Sequence, residues 1–180
     1  MAFNVAEFRA NMIGDGARPN LFSVSLTFPT IASNSTAAGQ KVTFMAKSAQ
    51  LPGSTVGTVP VFYFGRELKF AGNRTFTDWT LQIINDEDFA IRNSLESWMN
   101  AINSHAGNVR NSAAKSPSSY TVDATVTQYG KSGDALKTYK FVGMYPLDLA
   151  PIDLDWSSND TIEEYGVTFA YQWWETDTTS

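Results

Sequence analysis

His105 is the single histidine of the chain. Acids gather in two places: Asp86, Glu87 and Asp88 side by side, and Asp148, Asp153, Asp155 and Asp160 spread through a turn-rich stretch. These are the residue types that acid–base or metal chemistry would use. As a general base His105 would need a nucleophile and an orienting acid, and no Gly-x-Ser-x-Gly elbow is present. Paired carboxylates can hydrolyse glycosides, but acids scattered around a turn read as solvated ones. The run Asn85–Asp88 lacks the spaced ligands and the glycine of an EF-hand loop. It reads instead as a helix start, with Asn85 as N-cap and the acids complementing the helix dipole; a Ca²⁺ or Mg²⁺ site is the competing reading. Gly14–Asp15–Gly16 is a turn without the strand and helix of a phosphate-binding loop. The chain has no cysteine, which excludes disulfides, thiolate nucleophiles and cysteine-based zinc sites. The expectation is therefore a protein with no catalytic, metal or cofactor site.

The elements that hold these residues are mostly strands. Phe22, Val24, Leu26 and Phe28 alternate with Ser23, Ser25 and Thr27, the pattern of a half-buried strand. Residues 32–40 are small and polar and read as the tip of a polar loop spanning about 29–41, followed by a short strand over 41–49. Pro52, Gly53, Gly57 and Pro60 interrupt the next stretch, so 51–64 reads as an extended arm or hairpin at an edge. Strand resumes through Trp79, Leu81 and Ile83. One helix is expected from about Asp86 to Asn103, with Ile91, Leu95, Trp98, Met99 and Ile102 on its apolar stripe and Gly107 just past its end. Residues 120–129 and 135–147 form a hairpin around Gly130 and Gly133. A last strand places Tyr165, Val167, Phe169, Tyr171 and Trp173 on one face and Glu164, Thr168 and Gln172 on the other. The fold class is mainly β, an antiparallel sandwich or barrel-like fold with one flanking α-helix, and residues 1–180 form a single domain.

The 180-residue chain is 43% hydrophobic and 13% aromatic, a globular composition with scope for broad packed faces or large interfaces. Its net charge of -5 gives no electrostatic grip on nucleic acid. No segment approaches the ~20 apolar residues that span a bilayer, and the first residues lack the apolar core of a secretory signal. A soluble protein made in a cytoplasm is expected.

Four blocks in order, "ARPNLF", "LPG", "AGNRTFTDWTLQIINDED" and "LDWSSNDTIEEYGVTFAYQWWE", closely resemble the tail tube proteins of contractile-tailed bacteriophages. The resemblance runs from Ala17 to Glu175, strongest over Ala71–Asp88 and Leu154–Glu175. The segment "PTIASNSTAAGQ" departs from it by its length. The resemblance implies a virion tail component, assembled in the host cytoplasm, whose hexameric rings stack into a hollow tube. It implies a sheath, baseplate, tail terminator and tape measure protein as partners, and DNA that passes through the lumen without specific binding. The same fold serves type VI secretion tubes and contractile bacteriocins, so a tube carrying protein cargo is the alternative. A monomeric carbohydrate-binding sandwich using Trp79, Trp156 and Trp173 is a further one.

A tube subunit needs contact surfaces and a wall. Val59, Val61, Phe62 and Phe64 of the arm are candidate subunit-interface residues, since they would otherwise form an exposed apolar patch. Arg74 and Asp78 are candidates for ion pairs within or between subunits. Thr121, Asp123, Thr125 and Thr127 are candidate lumen-facing residues, with Glu164, Thr168 and Gln172 as the alternative liner. Ile91, Leu95, Trp98 and Ile102 are assigned to the helix core face.

Overall fold

A computed structural model describes residues 4–179. The single-domain reading also includes residues 1–3 and 180, which lie outside the described residues. Helix α1 (Val5–Asn11) is followed by a 3₁₀ turn (Ile13–Asp15), then β1 (Phe22–Leu26), α2 (Ser35–Met45), β2 (Ala46–Ala49), β3 (Ser54–Tyr63) and β4 (Arg66–Phe76). After these come β5 (Trp79–Ile84), α3 (Ala90–Ile102), a 3₁₀ turn (Ser112–Ala114), α4 (Pro117–Tyr120), β6 (Val122–Tyr129), β7 (Ala135–Leu149), β8 (Glu164–Ala170) and β9 (Trp173–Thr176). All pairings are antiparallel.

The main sheet runs β1–β6–β7–β8–β5–β2, with β9 added to β7. It is open, with β1 and β2 at its two ends. The 15-residue β7 belongs to both of its halves: Ala135 to Met144 pairs with β6, and Tyr145 to Leu149 with β8. The corner is Gly143, whose φ of 66° suits glycine and where an added Cβ would lie 3.0 Å from Gln172 Cγ. Folded over in this way, the sheet packs its inner side chains against α2 and α3. Val24, Leu26, Trp79, Leu81, Ile83, Val126, Phe141, Met144, Val167 and Phe169 form the core with Leu95 and Trp98.

The mainly β, antiparallel class is as expected, but among the described residues four α-helices stand where one was expected. The loop and strand read over 29–49 are largely α2, with strand only at Ala46–Ala49. Its small residues serve close packing. A Cβ at Gly39 would lie 3.2 Å from the Leu26 carbonyl oxygen, so α2 lies hard against the end of β1. Ala38 and Val42, one turn apart, are its buried pair.

Helix α3 starts at Ala90, not Asp86, and Asn85 does not cap it. Asn85 follows β5 and is held by Glu163: its N–H donates to the Glu163 carbonyl (2.8 Å) and its Nδ2 to Glu163 Oε2 (2.8 Å). The cap position is Phe89, in the left-handed region at φ 51°, and the Ala90 N–H donates to Asp88 Oδ1. Gly107 does not stop the helix either; it ends at Ile102, and Asn103 returns to extended backbone. Ile91, Leu95 and Trp98 are buried, and Ile102 packs half-buried against the same cluster. Trp98 Nε1 donates to the Tyr120 carbonyl (2.8 Å), which satisfies its polar edge inside the core.

Asp86 and Asp88 hold α2. Lys41 Nζ pairs with Asp86 Oδ2 at 2.6 Å and with Asp88. Lys41, by direct hydrogen bond, and the Ala90 N–H together hold the Asp88 carboxyl down, from 3.8 to about 2. Because the folded pKa is depressed, the stabilisation is complete above pH 4 and disappears as pH falls toward 2. Lys41→Met is therefore expected to flatten the pH dependence of thermal unfolding between pH 4 and 2, most visibly at low salt. Parallel Tm-versus-pH curves for parent and variant would refute the clamp.

Candidate functional site

Arm strands β3 and β4 form a two-stranded ribbon outside the main sheet. Tyr63 pairs with Arg66, leaving Phe64 and Gly65 as a two-residue turn with φ of 47° and 78°. Two positive φ values match the right-handed twist of a hairpin. A phenylalanine in the first of these positions is strained, and this one is 92% exposed. The base of the arm is anchored: Trp174 Nε1 donates to the Gly53 carbonyl (3.1 Å), and Phe76 packs near Tyr171 and Trp174.

Register sorts the arm into two faces. Val59 opposes Phe70 and Val61 opposes Leu68, so these four side chains share one apolar face. Pro60 opposes Lys69 and Phe62 opposes Glu67 on the other, mixed face. All four apolar residues are exposed in the isolated subunit. Of the interface candidates, Val59 and Val61 lie together, Phe62 faces the opposite way and Phe64 stands at the tip. Leu68 and Phe70 were missed; their i, i+2 spacing in "RELKFAG" was the available signal. Arg74 is exposed in β4 and Asp78 is exposed before β5, and among the described residues no ion pair within the chain involves either.

The lumen candidates sit on the outer face of the sheet half formed by β1, β6, β9 and the first part of β7. Asp123, Thr125 and Thr127 alternate with the buried Ala124 and Val126. Thr125 lies between Ser25 and Lys140, and Thr127 between Ser23 and Thr138, with the Thr127 and Thr138 hydroxyls 3.1 Å apart. Thr121 is set apart: it precedes β6, and its hydroxyl donates to the Pro117 carbonyl (2.8 Å). Lys140, which sequence reading passed over, is the one basic side chain at these outward positions and is neutralised in place. Its Nζ meets Asp123 Oδ2 at 2.9 Å, and Glu175 is its cross-strand neighbour. The Asp123 hydrogen bond and charge, helped by Glu175, push the ammonium pKa up. Burial alone would raise the Asp123 carboxyl, but Lys140 and the Gly143 N–H outweigh it and hold it down. The result is an outward face of hydroxyls with acids on both sides of Lys140, on which Leu136 and Trp173 are also exposed.

The alternative liner is divided. Glu164 and Thr168 lie on β8, where Glu164 pairs with Lys47 and Thr168 faces Thr80. The last strand does not run through as one. It breaks at Tyr171–Gln172, and β9 crosses to the first half of β7, so Trp173 is exposed and Trp174 packs inward.

The residues first examined for chemistry do not converge. His105 is exposed beyond α3, and its backbone N–H donates to Asn100 Oδ1. Among the described residues no three His, Asp or Glu side chains are grouped to hold a metal ion. Trp79 is 2% exposed, with Nε1 donating to the Gln50 carbonyl (2.7 Å). It is core and cannot form a sugar platform with Trp156 and Trp173. Among the described residues no helix is long and apolar enough to cross a membrane.

Known proteins resemble the chain in both sequence and fold. Residues 17–177 match the phage tail tube protein family. The chain is 34% identical over 168 residues to tail tube protein gp19 of Enterobacteria phage T4, covering 93% of this chain and 96% of that one. It is 28% identical over 169 residues to the tail tube protein of Serratia phage KSP90, covering 93% of each. Among solved structures, a chain of the anti-feeding prophage tube-terminating cap superposes with a TM-score of 0.65 at 17% identity, covering 92% of each chain. A chain of the PVC extracellular contractile injection system sheath–tube complex superposes with 0.59 at 16% identity, covering 98% of this chain and 99% of that one. At these identities the two structures show a shared fold.

Proposed function

The chain belongs to the phage tail tube protein family, and from that premise we propose that its copies close into hexameric rings that stack into a hollow conduit for DNA inside a contractile sheath. The observation that carries this is the arm. Beyond its anchored base, a ribbon of 10 and 11 residues per strand exposes the apolar face of Val59, Val61, Leu68 and Phe70, which the described residues leave uncovered. Exposed ribbons invite pairing and burial against another chain. A subunit that polymerises supplies that cover from a neighbouring copy. Arg74 and Asp78, exposed near the arm's base, are the proposed charged contacts between copies. Sheath, baseplate, tail terminator and tape measure protein are the further partners. Relatives named as phage tail tube proteins favour DNA over protein cargo.

Negative-stain electron microscopy of the purified protein is the direct test. Rings or tubes of uniform bore are expected; a dispersed monomer at all concentrations would defeat the assembly reading.

The proposed wall is the hydroxyl face of Asp123, Thr125 and Thr127. DNA passes such a surface freely because no unneutralised cation on it can trap a phosphate. Asp123→Lys with Thr125→Lys removes the partner of Lys140 and adds two cations. Tubes are expected to assemble, and DNA ejection to slow in a manner relieved by salt. Unchanged ejection through tubes confirmed by microscopy would move the wall to the face of Glu164 and Thr168.

A further inference from the structure

We propose that the Trp156 loop of one copy seats in the cleft between residues 12–18 and the 130–136 turn of a second copy, a head-to-tail contact that rests on the tube reading above. Trp156 is 100% exposed, and Leu154 and Ile162 beside it are exposed at 80% and 69%. Its loop is nevertheless ordered by its own hydrogen bonds. Asp155 accepts the Ser157 N–H (2.9 Å) and the Ser157 hydroxyl (2.7 Å), and the Ser158 N–H donates to the Asp155 carbonyl (3.1 Å). A hydrogen-bonded turn that holds an indole fully in solvent lowers the loop entropy lost on binding. Tryptophan is also among the residues that most often anchor an interface.

The receiving cleft has a volume of about 510 Å³ and is lined by Met12, Ile13, Ala17, Arg18, Lys131 and Leu136 among others. Ile13 is 92% exposed, so the cleft offers uncovered apolar surface. Arg18 brings positive charge to it, and the Trp156 loop carries Asp153, Asp155 and Asp160. Asp134, near the cleft, accepts the Ser132 hydroxyl at 2.6 Å. Position in the fold makes the second copy the occupant. The 130–134 turn leads into the start of β7, and the 150–163 loop leaves its end. Knob and cleft thus lie at opposite ends of one strand and are unlike each other. A contact between such unlike patches is heterologous, so each copy that binds presents a fresh site to the next.

Two experiments test the contact. Trp156→Ala should fold with unchanged Tm and raise the critical concentration for polymerisation at least ~10-fold. Ser158→Cys combined with Ser132→Cys keeps Trp156 and Ile13, and the chain has no other cysteine. Oxidised tubes of this variant should give a ladder of covalent multimers on a non-reducing gel, and each single variant should give none beyond a dimer. Normal polymerisation of Trp156→Ala, or tubes of the double variant without a ladder, would overturn the contact and leave the tube reading intact. Normal Trp156→Ala tubes that no longer bind sheath would overturn it by giving the loop to the sheath. A parent protein that forms no tubes under any condition fails the tube reading and the contact with it.

Discussion

Val61→Asp combined with Phe70→Asp yields a folded subunit that does not polymerise. Both side chains lie on the apolar face of the arm and are exposed in the subunit, so carboxylates there are solvated at little cost to its stability. Surface changes of this kind stay within about 0.5 kcal/mol, and Tm should barely move. In the tube proposed above the same positions would be covered. Each loses ~1.5–3 kcal/mol of apolar burial, and each places a charge in a desolvated contact without a partner. Repeated at every subunit, a loss of that size raises the critical concentration at least ~100-fold. Sedimentation velocity and microscopy read the assembly, and circular dichroism reads the fold. Normal tubes from the double variant would remove the arm from the assembly surface. Point substitutions are cleaner than deleting residues 53–59, which would unpair β4 and break the Trp174–Gly53 anchor at the same time.

The strands were legible because burial on one face imposes a period of two, and Val24, Leu26, Trp79, Leu81, Ile83, Val167 and Phe169 obey it. Helix α2 was not, because its contact with β1 depends on small residues. Ala38, Gly39 and Val42 give a close approach without an apolar stripe, and the same composition reads as a loop. Asn85 failed as a cap for a different reason: its partner, Glu163, lies 78 residues away, and local spacing carries no trace of it. The last strand misled because its alternation continues through the break at Tyr171–Gln172, where the chain changes partner strands and Trp173 and Trp174 exchange sides. On the arm, composition located an apolar segment, but only register shows that Val59, Val61, Leu68 and Phe70 share a face and that Phe62 leaves it. Lys140 was missed on the wall because its neutralisation needs Asp123 and Glu175 from two other strands.

Leu95→Asp should abolish the folded state. Leu95 is fully buried on α3, in the cluster that also holds Trp79, Trp98 and Phe169. Removing its side chain costs ~2–5 kcal/mol as a cavity, and an unpartnered carboxylate in its place adds several more. The sum rivals the ~5–15 kcal/mol that holds an entire domain together. Leu95→Ala isolates the first part: a loss of ~3 kcal/mol would lower Tm by roughly 6–12 °C in a chain of this size. Asn93→Asp, on the exposed side of the same helix, should leave Tm nearly unchanged. A Leu95→Asp protein that melts like the parent would mean that α3 does not pack as described. The comparison with the arm separates two kinds of failure. Loss of α3 packing removes the subunit and with it every contact the subunit makes, whereas charges on the arm leave a stable monomer unable to join its neighbours. On the assembly proposed above the chain carries two sets of apolar side chains, one covered when the chain folds and the other only when copies meet.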